Sequence, residues 1–336
     1  MMAGPGDTGR EDMGEFALIE TLFKPLAAAT PAALGLGDDA AVLTPRPGRD
    51  LVFTKDAMVE GVHFLSNDDP ADVARKLLRV NLSDLAAMGA VPVGYLLATF
   101  WPEGIARGWI EGFVAGLATD QAEFDIGLLG GDTVRTPGPL CLSLTAVGEV
   151  DSGRALRRNG AEAGDLIAVS GSIGDAALGL MILQGGKLPD LSAAARDYLI
   201  ARYHLPKPRL ALGQQITGFA HACLDISDGL IADIGHIADQ SSLAAIIDWQ
   251  TVPFSEAARE ALAADEGLFS ALLTGGDDYE LAFTFPRAKA EALAAISGKA
   301  GVPLAIVGEM TGGSGVTVRG PDGHELPLAT AGWRHF

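Results

Sequence analysis

The chain has 336 residues and carries 43 acidic against 24 basic side chains, a formal net charge of −19. Its length predicts about two domains, and an apolar content of 48% is enough for a core in each. The acidic balance argues against a nucleic-acid surface, which needs basic patches, but it allows a phosphate ligand where metal ions neutralise charge. No apolar run reaches the roughly 18 residues of a membrane span, so we expect no membrane partner and a cytoplasmic location.

Composition and pattern divide the chain into a tail and two domains. Residues 1–14 are rich in glycine and charge and lack an apolar core, which predicts a disordered tail rather than a signal peptide. Residues 15–150 alternate helical and strand patterns, as expected for an α/β or α+β domain. A polar, basic stretch over 151–164 marks the junction, and residues 151–336 form the second α/β domain.

The first predicted elements place aspartates beside a glycine turn and a strand. Apolar residues at helical spacing predict a helix over 16–26. A glycine turn with Asp38 and Asp39 follows it. A β-rich run over 51–54 predicts a strand, so we expect Asp56 just past the strand end.

A long helix is predicted after this strand. It begins at Asp69, an N-cap residue followed by proline at the first helical position, and Gly89 ends it. Near its end Asn81 and Asp84 stand three residues apart and therefore share one face. A strand over 125–129 later runs directly into Gly130-Gly131-Asp132-Thr133.

The second half of the chain repeats this arrangement. A strand over 165–170 is followed by a glycine loop and a helix through Leu183. That connection is either an anion site at a helix N-terminus or an ordinary tight turn. A strand over 220–226 leads into Asp228, and Asp277 precedes a strand over 281–285. The two cysteines, Cys141 and Cys223, lie in apolar runs and indicate neither zinc nor a disulfide framework.

Five short clusters share one composition, in which aspartate stands with Gly, Ser, Thr or Asn near a strand or turn. They are Gly37-Asp38-Asp39, Thr54-Lys55-Asp56, Asn81-Leu82-Ser83-Asp84, Gly130-Gly131-Asp132-Thr133 and Asp225-Ile226-Ser227-Asp228-Gly229. One such cluster is explained by a solvated turn, but five predict a shared site, because the carboxyl ends of strands converge in α/β folds. Oxygen ligands without His or Cys select Mg²⁺, Mn²⁺ or Ca²⁺. The pattern therefore predicts a nucleotide-phosphate site bridged by metal ions.

The common nucleotide-binding motifs are absent from the sequence. It contains no Gly-x-x-x-x-Gly-Lys-Ser/Thr loop and no kinase His-Arg-Asp or Asp-Phe-Gly set. Phosphoryl transfer depends on positioning and charge neutralisation more than on covalent chemistry. Aspartates holding metal ions can supply both without a P-loop lysine.

Seven motifs in order closely resemble the thiamine-monophosphate kinase family, within the superfamily of ATP-binding aminoimidazole-ribonucleotide synthetase-like enzymes. They are Gly-Asp-Asp-Ala-Ala-Val, Thr-Lys-Asp-Ala-Met-Val-Glu-Gly-Val-His-Phe, Asn-Leu-Ser-Asp-Leu-Ala-Ala-Met-Gly-Ala, Gly-Gly-Asp-Thr, Arg-Arg-Asn-Gly-Ala, Asp-Ile-Ser-Asp-Gly-Leu and Gly-Gly-Asp-Asp-Tyr-Glu-Leu. The resemblance covers almost the whole chain. It implies a two-domain fold, a homodimer whose N-terminal sheets form a β-barrel, and ATP-dependent phosphorylation of thiamine monophosphate to thiamine diphosphate by direct in-line transfer with several Mg²⁺ ions.

The resemblance also implies roles for individual residues. The implied metal ligands are Asp39, Thr54, Asp56, Asp84, Asp132, Asp225 and Asp228, of which Asp56, Asp132 and Asp225 are the expected catalytic set. The implied ATP contacts are Gly131, Asp132, Arg158 and Ser227. The implied thiamine monophosphate contacts are His63, Asp277 and Trp333; an aromatic face such as that of Trp333 suits a cationic ring.

This chain departs from the family pattern at three places. Lys55 stands where the family usually has a hydroxyl residue, and Asp277 stands where glutamate is commoner. The ending Trp333-Arg334-His335-Phe336 differs from the usual aromatic-Asp-His-Phe. Two other functions stay open at this point. One is a sister enzyme, such as a selenophosphate synthetase or a hydrogenase-maturation protein, although the terminal cysteines that those enzymes use are missing here. The other is a non-catalytic metal- or nucleotide-binding protein.

Overall fold

The computed structural model describes residues 15–320 and 322–327, so the tail over 1–14 and the expected substrate contact Trp333 lie outside the described residues. The α-helices are α1 (Glu15–Leu18), α2 (Lys24–Ala27), α3 (Pro70–Ala87), α4 (Arg107–Phe124), α5 (Asp175–Leu183), α6 (Ala193–His204), α7 (Leu210–Ile216), α8 (Leu230–Ser241), α9 (Glu256–Ala264), α10 (Phe269–Thr274) and α11 (Leu293–Ala300). The strands are β1 (Arg49–Val59), β2 (Val91–Pro102), β3 (Gly127–Thr136), β4 (Cys141–Asp151), β5 (Leu166–Ser170), β6 (Ala222–Asp225), β7 (Ala244–Asp248), β8 (Leu281–Phe285), β9 (Leu304–Thr311) and β10 (Gly315–Arg319). Shorter helical turns cover Ile19–Phe23, Pro31–Leu36, Trp249–Thr251, Glu266–Leu268 and Arg287–Ala292.

The first sheet has four strands in the order β1-β4-β2-β3. The β1–β4 and β4–β2 pairs are antiparallel and the β2–β3 pair is parallel. Alternate residues of these strands, such as Leu142 and Leu144, are buried in the first core together with Leu77 of α3 and Phe113 of α4. Helices α3 and α4 thus cover one face of the sheet.

The other face of this sheet carries exposed apolar side chains. Phe53 of β1 is 64% exposed, and Leu96 and Phe100 of β2 are 41% and 37% exposed. Residues with the opposite parity on the same strands, such as Val52 and Leu97, are buried, as expected from the two-residue period of a strand. We call this surface, defined by Phe53, Leu96 and Phe100, the open face.

The second sheet has six strands in the order β10-β7-β9-β5-β8-β6. Only its β10–β7 pair is parallel. Strands β5 and β8 are buried along their whole length. This sheet packs between apolar clusters that include Ile234 of α8 on one side and Leu212 of α7 on the other.

Helix α3 joins the two halves of the molecule. Its N-terminus is defined by Asp69, whose side chain accepts the Ala71 N–H at 2.8 Å, and Gly89 follows its end with φ at 71°. The helix is buried over most of its length, against the first sheet and against α7 of the second half. A Cβ on Gly213 of α7 would lie 1.9 Å from the Ala86 carbonyl oxygen, so glycine allows this close contact.

The structure corrects the expected placement of two aspartates and the reason for their convergence. Asp56 lies inside β1 rather than past its end, and Asp132 lies inside β3 rather than after it. Both sheets are mostly antiparallel, so the converging carboxyl ends of parallel strands do not build the site. The described architecture is therefore α+β, and helix α3 instead brings Asp84 together with Asp56 and Asp225.

No helix within the described residues is both long and apolar enough to cross a membrane.

Candidate active site

Three of the predicted aspartates meet where α3 contacts both sheets. Asp56 comes from β1, Asp84 from the last turn of α3, and Asp225 from the end of β6. The Thr54 hydroxyl donates a hydrogen bond to Asp84. The Ser83 hydroxyl donates to Asp225 at 2.7 Å, which ties the helix to the second sheet. The structure thus brings together four of the residues expected to bind metal: Thr54, Asp56, Asp84 and Asp225.

Asn81 fixes the position of β1 against α3. This fully buried side chain accepts the backbone N–H of Asp56 at 3.2 Å and donates to the Leu77 carbonyl at 2.9 Å. Buried polar groups are stable only when hydrogen-bonded. Asn81 therefore fixes the Asp56 backbone against α3.

The cluster concentrates negative charge away from water. Desolvation, followed by repulsion from Asp84, raises the pKa of Asp56 to about 7. Desolvation also raises the pKa of Asp84, although the Thr54 hydroxyl and the Arg158 charge oppose it. The pKa of Asp225 is raised well above its usual value, first by burial and then by Asp84. Raised pKa values of this kind are expected for buried carboxylates that have too few positive charges near them.

A second carboxylate pair follows β6. The Asp233 side chain accepts the Asp228 backbone N–H at 2.9 Å, and burial raises the pKa of Asp233 to about 7. Asp228, Asp233 and His236 each offer a ligand atom, and these atoms lie within 4.8 Å of one another. The neighbouring Ser227 carbonyl accepts the Asp277 N–H at 2.9 Å, so this loop packs against the loop before β8.

The structure describes two of the residues expected to contact the second substrate, Asp277 and His63. The Asp277 carboxylate accepts from Lys76 at 2.9 Å and from the Tyr279 hydroxyl at 3.4 Å. Burial raises the pKa of Tyr279 well above its usual value, and repulsion from Asp277, Asp56, Asp225 and Asp84 adds to this effect. The Nδ1 atom of His63 accepts the Val59 N–H at 3.1 Å, so neutral His63 carries its proton on Nε2.

Asp132 and Gly131 do not join the cluster within one chain. Strands β4 and β2 lie between β1 and β3, which separates Asp56 from Asp132 by about 14 Å at the usual strand spacing. Asp132 pairs with Ala98, which lies between Leu96 and Phe100 on the open face. Asp56 faces α3 instead. The two aspartates therefore occupy opposite edges and opposite faces of the sheet.

Two further predicted residues lie at the surface. Asp39 is exposed in the irregular segment between the Pro31–Leu36 turn and β1. Arg158 is also exposed, and its positive charge opposes the rise in the pKa of Asp84 and of Asp233.

The glycine loop before α5 is an ordinary connection. The Asp278 carboxylate accepts the Gly174 N–H at 2.7 Å and the Ala176 N–H at 3.5 Å. These are amides that a bound anion would have used. The protein's own buried carboxylate occupies this helix N-terminus, so the anion-site alternative is wrong.

Sequence reasoning missed Lys76 and Asp233. Lys76 is only 4% exposed and interrupts the buried stripe of α3 between Val73 and Leu77. A lysine at such a position is almost never buried without a partner, and that signal was available in the sequence. Asp233 lies in the first turn of α8, where an acidic residue is common for electrostatic reasons.

Known protein families contain the same arrangement. The model for AIR synthase related protein, N-terminal domain, matches residues 37–150, and the model for AIR synthase related protein, C-terminal domain, matches residues 162–321. The chain therefore belongs to the AIR synthase related proteins, and the two-domain fold expected from the sequence is confirmed.

Comparison with individual relatives identifies the family within the AIR synthase related proteins. Thiamine-monophosphate kinase of Caulobacter vibrioides is 45% identical over 325 residues, which are 96% of this chain and 90% of that protein. The crystal structure of thiamine-monophosphate kinase from Stenotrophomonas maltophilia is 44% identical with a TM-score of 0.83, covering 94% of this chain and 98% of that one. AaThiL complexed with AMPPCP and TMP is 30% identical with a TM-score of 0.76, covering 96% and 97%. The chain belongs to the thiamine-monophosphate kinase family.

Proposed function

We propose that this protein transfers the terminal phosphate of ATP to thiamine monophosphate and forms thiamine diphosphate and ADP. The observation that carries the proposal is the meeting of Asp56, Asp84 and Asp225 at the domain junction, with their pKa values raised. A similar protein, AaThiL, is known in complex with AMPPCP and TMP. The high identity to thiamine-monophosphate kinases favours this reaction over the selenophosphate-synthetase-like and hydrogenase-maturation-like alternatives.

The donor set fits several Mg²⁺ ions. Carboxylate and hydroxyl oxygens are the hard ligands that Mg²⁺ prefers, together with substrate phosphates. The residues that we propose as ligands are Asp39, Thr54, Asp56, Asp84, Asp132, Asp225 and Asp228. Divalent cations also explain why the fold tolerates clustered carboxylates with raised pKa values. When bound, the metal supplies neutralisation of phosphate charge.

The chain's own residues then act mainly by positioning. In an in-line transfer an oxygen of the acceptor phosphate forms the new P–O bond while the bond between the β- and γ-phosphates of ATP breaks. The acceptor oxygen is largely deprotonated at neutral pH, so no strong base is required. Asn81 holds Asp56, and Ser83 holds Asp225, in fixed positions around the transferred group. Such preorganisation is how phosphoryl transfer is accelerated.

The substrates would lie on two sides of the cluster. We assign Gly131, Asp132, Arg158 and Ser227 to ATP, and His63, Asp277 and Trp333 to thiamine monophosphate. Arg158 supports this assignment because its charge acts on Asp84 and Asp233 from the surface. His63 in the form described above presents an Nε2–H donor, which suits an anionic acceptor.

A homodimer would complete this site. The open face carries Phe53, Leu96 and Phe100, and contiguous exposed apolar surface marks an interface. Asp132 lies on the same face as these residues, away from Asp56 of its own chain. In a dimer that packs the two open faces into a β-barrel, the β3 edge of one copy would lie beside the β1 edge of the other, and Asp132 and Gly131 would approach the Asp56 cluster of that copy around this edge. The domains of each copy would divide near residue 150.

A direct assay tests the function. The purified chain, with ATP, Mg²⁺ and thiamine monophosphate, should form thiamine diphosphate and ADP in equal amounts, and the Asp225→Asn variant should not. Glu309→Gln, far from the cluster on β9, serves as the matched carboxylate control and should keep full turnover. Loss of ATP without thiamine diphosphate would assign the chain to another phosphoryl transfer reaction.

A further inference from the structure

Lys76 is a buried cation whose ion pair contributes little to the stability of the fold. Its side chain is 5% exposed, and its ammonium donates to Asp277 Oδ2 at 2.9 Å. Burying an ion pair of this kind adds little to stability, because desolvation offsets most of the attraction. A buried lysine therefore indicates a role in organising its partner.

The ammonium lies between two residues assigned to the acceptor. Its Nζ lies 3.6 Å from the centre of the Tyr203 ring, in cation–π contact. The Tyr203 hydroxyl donates to the His63 carbonyl at 3.4 Å. Lys76 is thus linked to Asp277 directly and to the His63 segment through one aromatic ring.

The Asp277 backbone is held in an unusual conformation. Its φ is 73°, and Tyr279 two residues later has φ at 51°. Left-handed backbone at non-glycine residues is uncommon, and it persists only where the surrounding structure holds it. Both oxygens of the Asp277 carboxylate are held, Oδ2 by Lys76 and Oδ1 by Tyr279. The carboxylate itself stays 30% exposed.

The same helix carries Lys76 and the metal-site residues. Lys76 is two turns before Asp84 on α3, and Asn81 and Ser83 lie between them. The Lys76–Asp277 pair thus joins the loop before β8 to the helix that orders the aspartate cluster. A displacement of the loop relative to the cluster is resisted by this ionic contact and by two backbone hydrogen bonds, from the Asp277 N–H to the Ser227 carbonyl at 2.9 Å and from the Tyr279 N–H to the Ile226 carbonyl at 2.8 Å.

From this geometry we propose that Lys76 is a positioning residue for the acceptor. It holds the Asp277 carboxylate in a fixed position relative to the aspartate cluster. That carboxylate would bind a phosphorylated acceptor that carries a cationic or N–H-bearing ring. The proposal rests on the kinase function proposed above and deepens it, because it assigns recognition of the acceptor, and not of ATP, to an ion pair between the two domains.

Steady-state kinetics of Lys76→Met test the proposal. The KM for thiamine monophosphate should rise about tenfold or more, the loss expected for one charge-assisted contact, while the KM for ATP stays within about twofold. Lys76→Arg keeps the charge and should restore part of the affinity. Calorimetry with thiamine monophosphate alone should show the same weakening without turnover.

Arg79→Met is the matched structural control. Arg79 is equally buried on α3, pairs with Asp120 and donates to the Pro206 carbonyl of the second half, but it faces α4. Both variants should lower the melting temperature, and only Lys76→Met should change the KM for the acceptor. Equal changes in both variants, or an unchanged acceptor KM in Lys76→Met, would show that Lys76 is only structural.

A charge-balanced variant covers the case in which Lys76→Met does not fold. Lys76→Met combined with Asp277→Asn leaves no unpaired carboxylate and should fold with the same raised KM for thiamine monophosphate. A wild-type acceptor KM in this double variant would overturn the proposal. Absence of thiamine diphosphate from the wild-type enzyme would instead overturn the proposed function, and acceptor binding by calorimetry would still decide the role of Lys76.

Discussion

Asp56 and Asp132 lie at opposite edges and on opposite faces of the same four-stranded sheet. Both are expected at the transferred phosphate, yet two strands separate them. If one site needs both, then one chain supplies Asp56 and another supplies Asp132. This relationship makes the composition of the site testable by mixing inactive variants.

We expect Asp56→Asn and Asp132→Asn to be inactive alone and to complement each other when mixed. A mixed dimer would contain one site with both substitutions and one site with neither. After subunit exchange at equal amounts, half of the dimers are mixed, so turnover should recover to about one quarter of the wild-type value. Turnover is measured after co-refolding, with sedimentation to confirm dimers. No recovery would mean that each site lies within one chain.

Removal of charge from the cluster should stabilise the metal-free protein. The pKa of Asp56 is about 7 in the fold against 3.8 as the ordinary value, so the folded state binds the proton more tightly than the unfolded state. The ionised carboxylate therefore costs stability as pH rises from about 4 to 7, and the full cost remains above pH 7. Asp56→Asn should raise the free energy of unfolding by about 1 to 3 kcal/mol at pH 8 in EDTA.

Denaturant unfolding at pH 4 and pH 8 checks this sign. The stabilisation by Asp56→Asn should be small at pH 4, where the carboxyl is protonated in the folded state and still partly protonated in the unfolded state. Asp248→Asn, which removes an exposed carboxylate on β7, is a control for general charge effects. A clear loss of stability at pH 8 would mean that the Asp56 carboxylate has a structural role.

Binding of Mg²⁺ should depend on the nucleotide. If phosphate oxygens complete the coordination of the ion, the carboxylates alone bind Mg²⁺ weakly. Calorimetric titration should give a Mg²⁺ affinity at least about tenfold higher with AMPPCP present, and by linkage the nucleotide affinity should rise equally with Mg²⁺. Equal Mg²⁺ binding in both conditions would favour a pure metal-binding protein.

The ion network around Glu280 should dominate the stability of the second half. Glu280 is fully buried and accepts from Arg202 at 3.0 Å and from Arg209 Nε at 2.6 Å. Glu280→Gln leaves these guanidinium charges without their carboxylate, which should cost about 3 to 5 kcal/mol of unfolding free energy. Chemical denaturation measures the loss.

A surface pair provides the comparison for Glu280. Arg287 and Glu309 form an ion pair with 60% and 39% exposed side chains. Glu309→Gln should cost less than about 1 kcal/mol, because water screens exposed charges. Similar losses in the two variants would show that burial does not govern these interactions.

Local signals predicted the elements that end at clear boundaries. The N-cap at Asp69 and the glycine at position 89 gave the correct limits of α3, and the apolar run over 281–285 is β8. The predicted strand over 51–54 was shorter than β1, which covers Arg49–Val59. Polar residues of β1 point both to the aspartate cluster and to the open face, so the strand lacks the apolar pattern of a buried strand. The limits of a strand can be read from its apolar pattern only where most of its side chains are buried in the core.

The site was predictable in composition but not in geometry. The repeated aspartate clusters led to Asp56, Asp84 and Asp225, which the structure places together. Strand order is set by long-range pairing, so the separation of Asp132 from Asp56 has no local signal. The contact of Lys76 with Asp277 joins residues 201 positions apart and could not be inferred from helical periodicity.

The alternation of β1 gives a single strand two separate surfaces. Thr54 and Asp56 face α3, whereas Lys55 faces the opposite side and lies 3.4 Å from the Thr145 hydroxyl. Lysine at position 55 is thus accommodated without entering the carboxylate cluster of its own chain. A slip of one residue against β4 would turn this ammonium into the cluster and turn the Thr54 and Asp56 side chains out of it. The eleven-residue pairing from Arg49 with Asp151 to Val59 with Cys141 therefore protects the chemistry of the site against errors in folding.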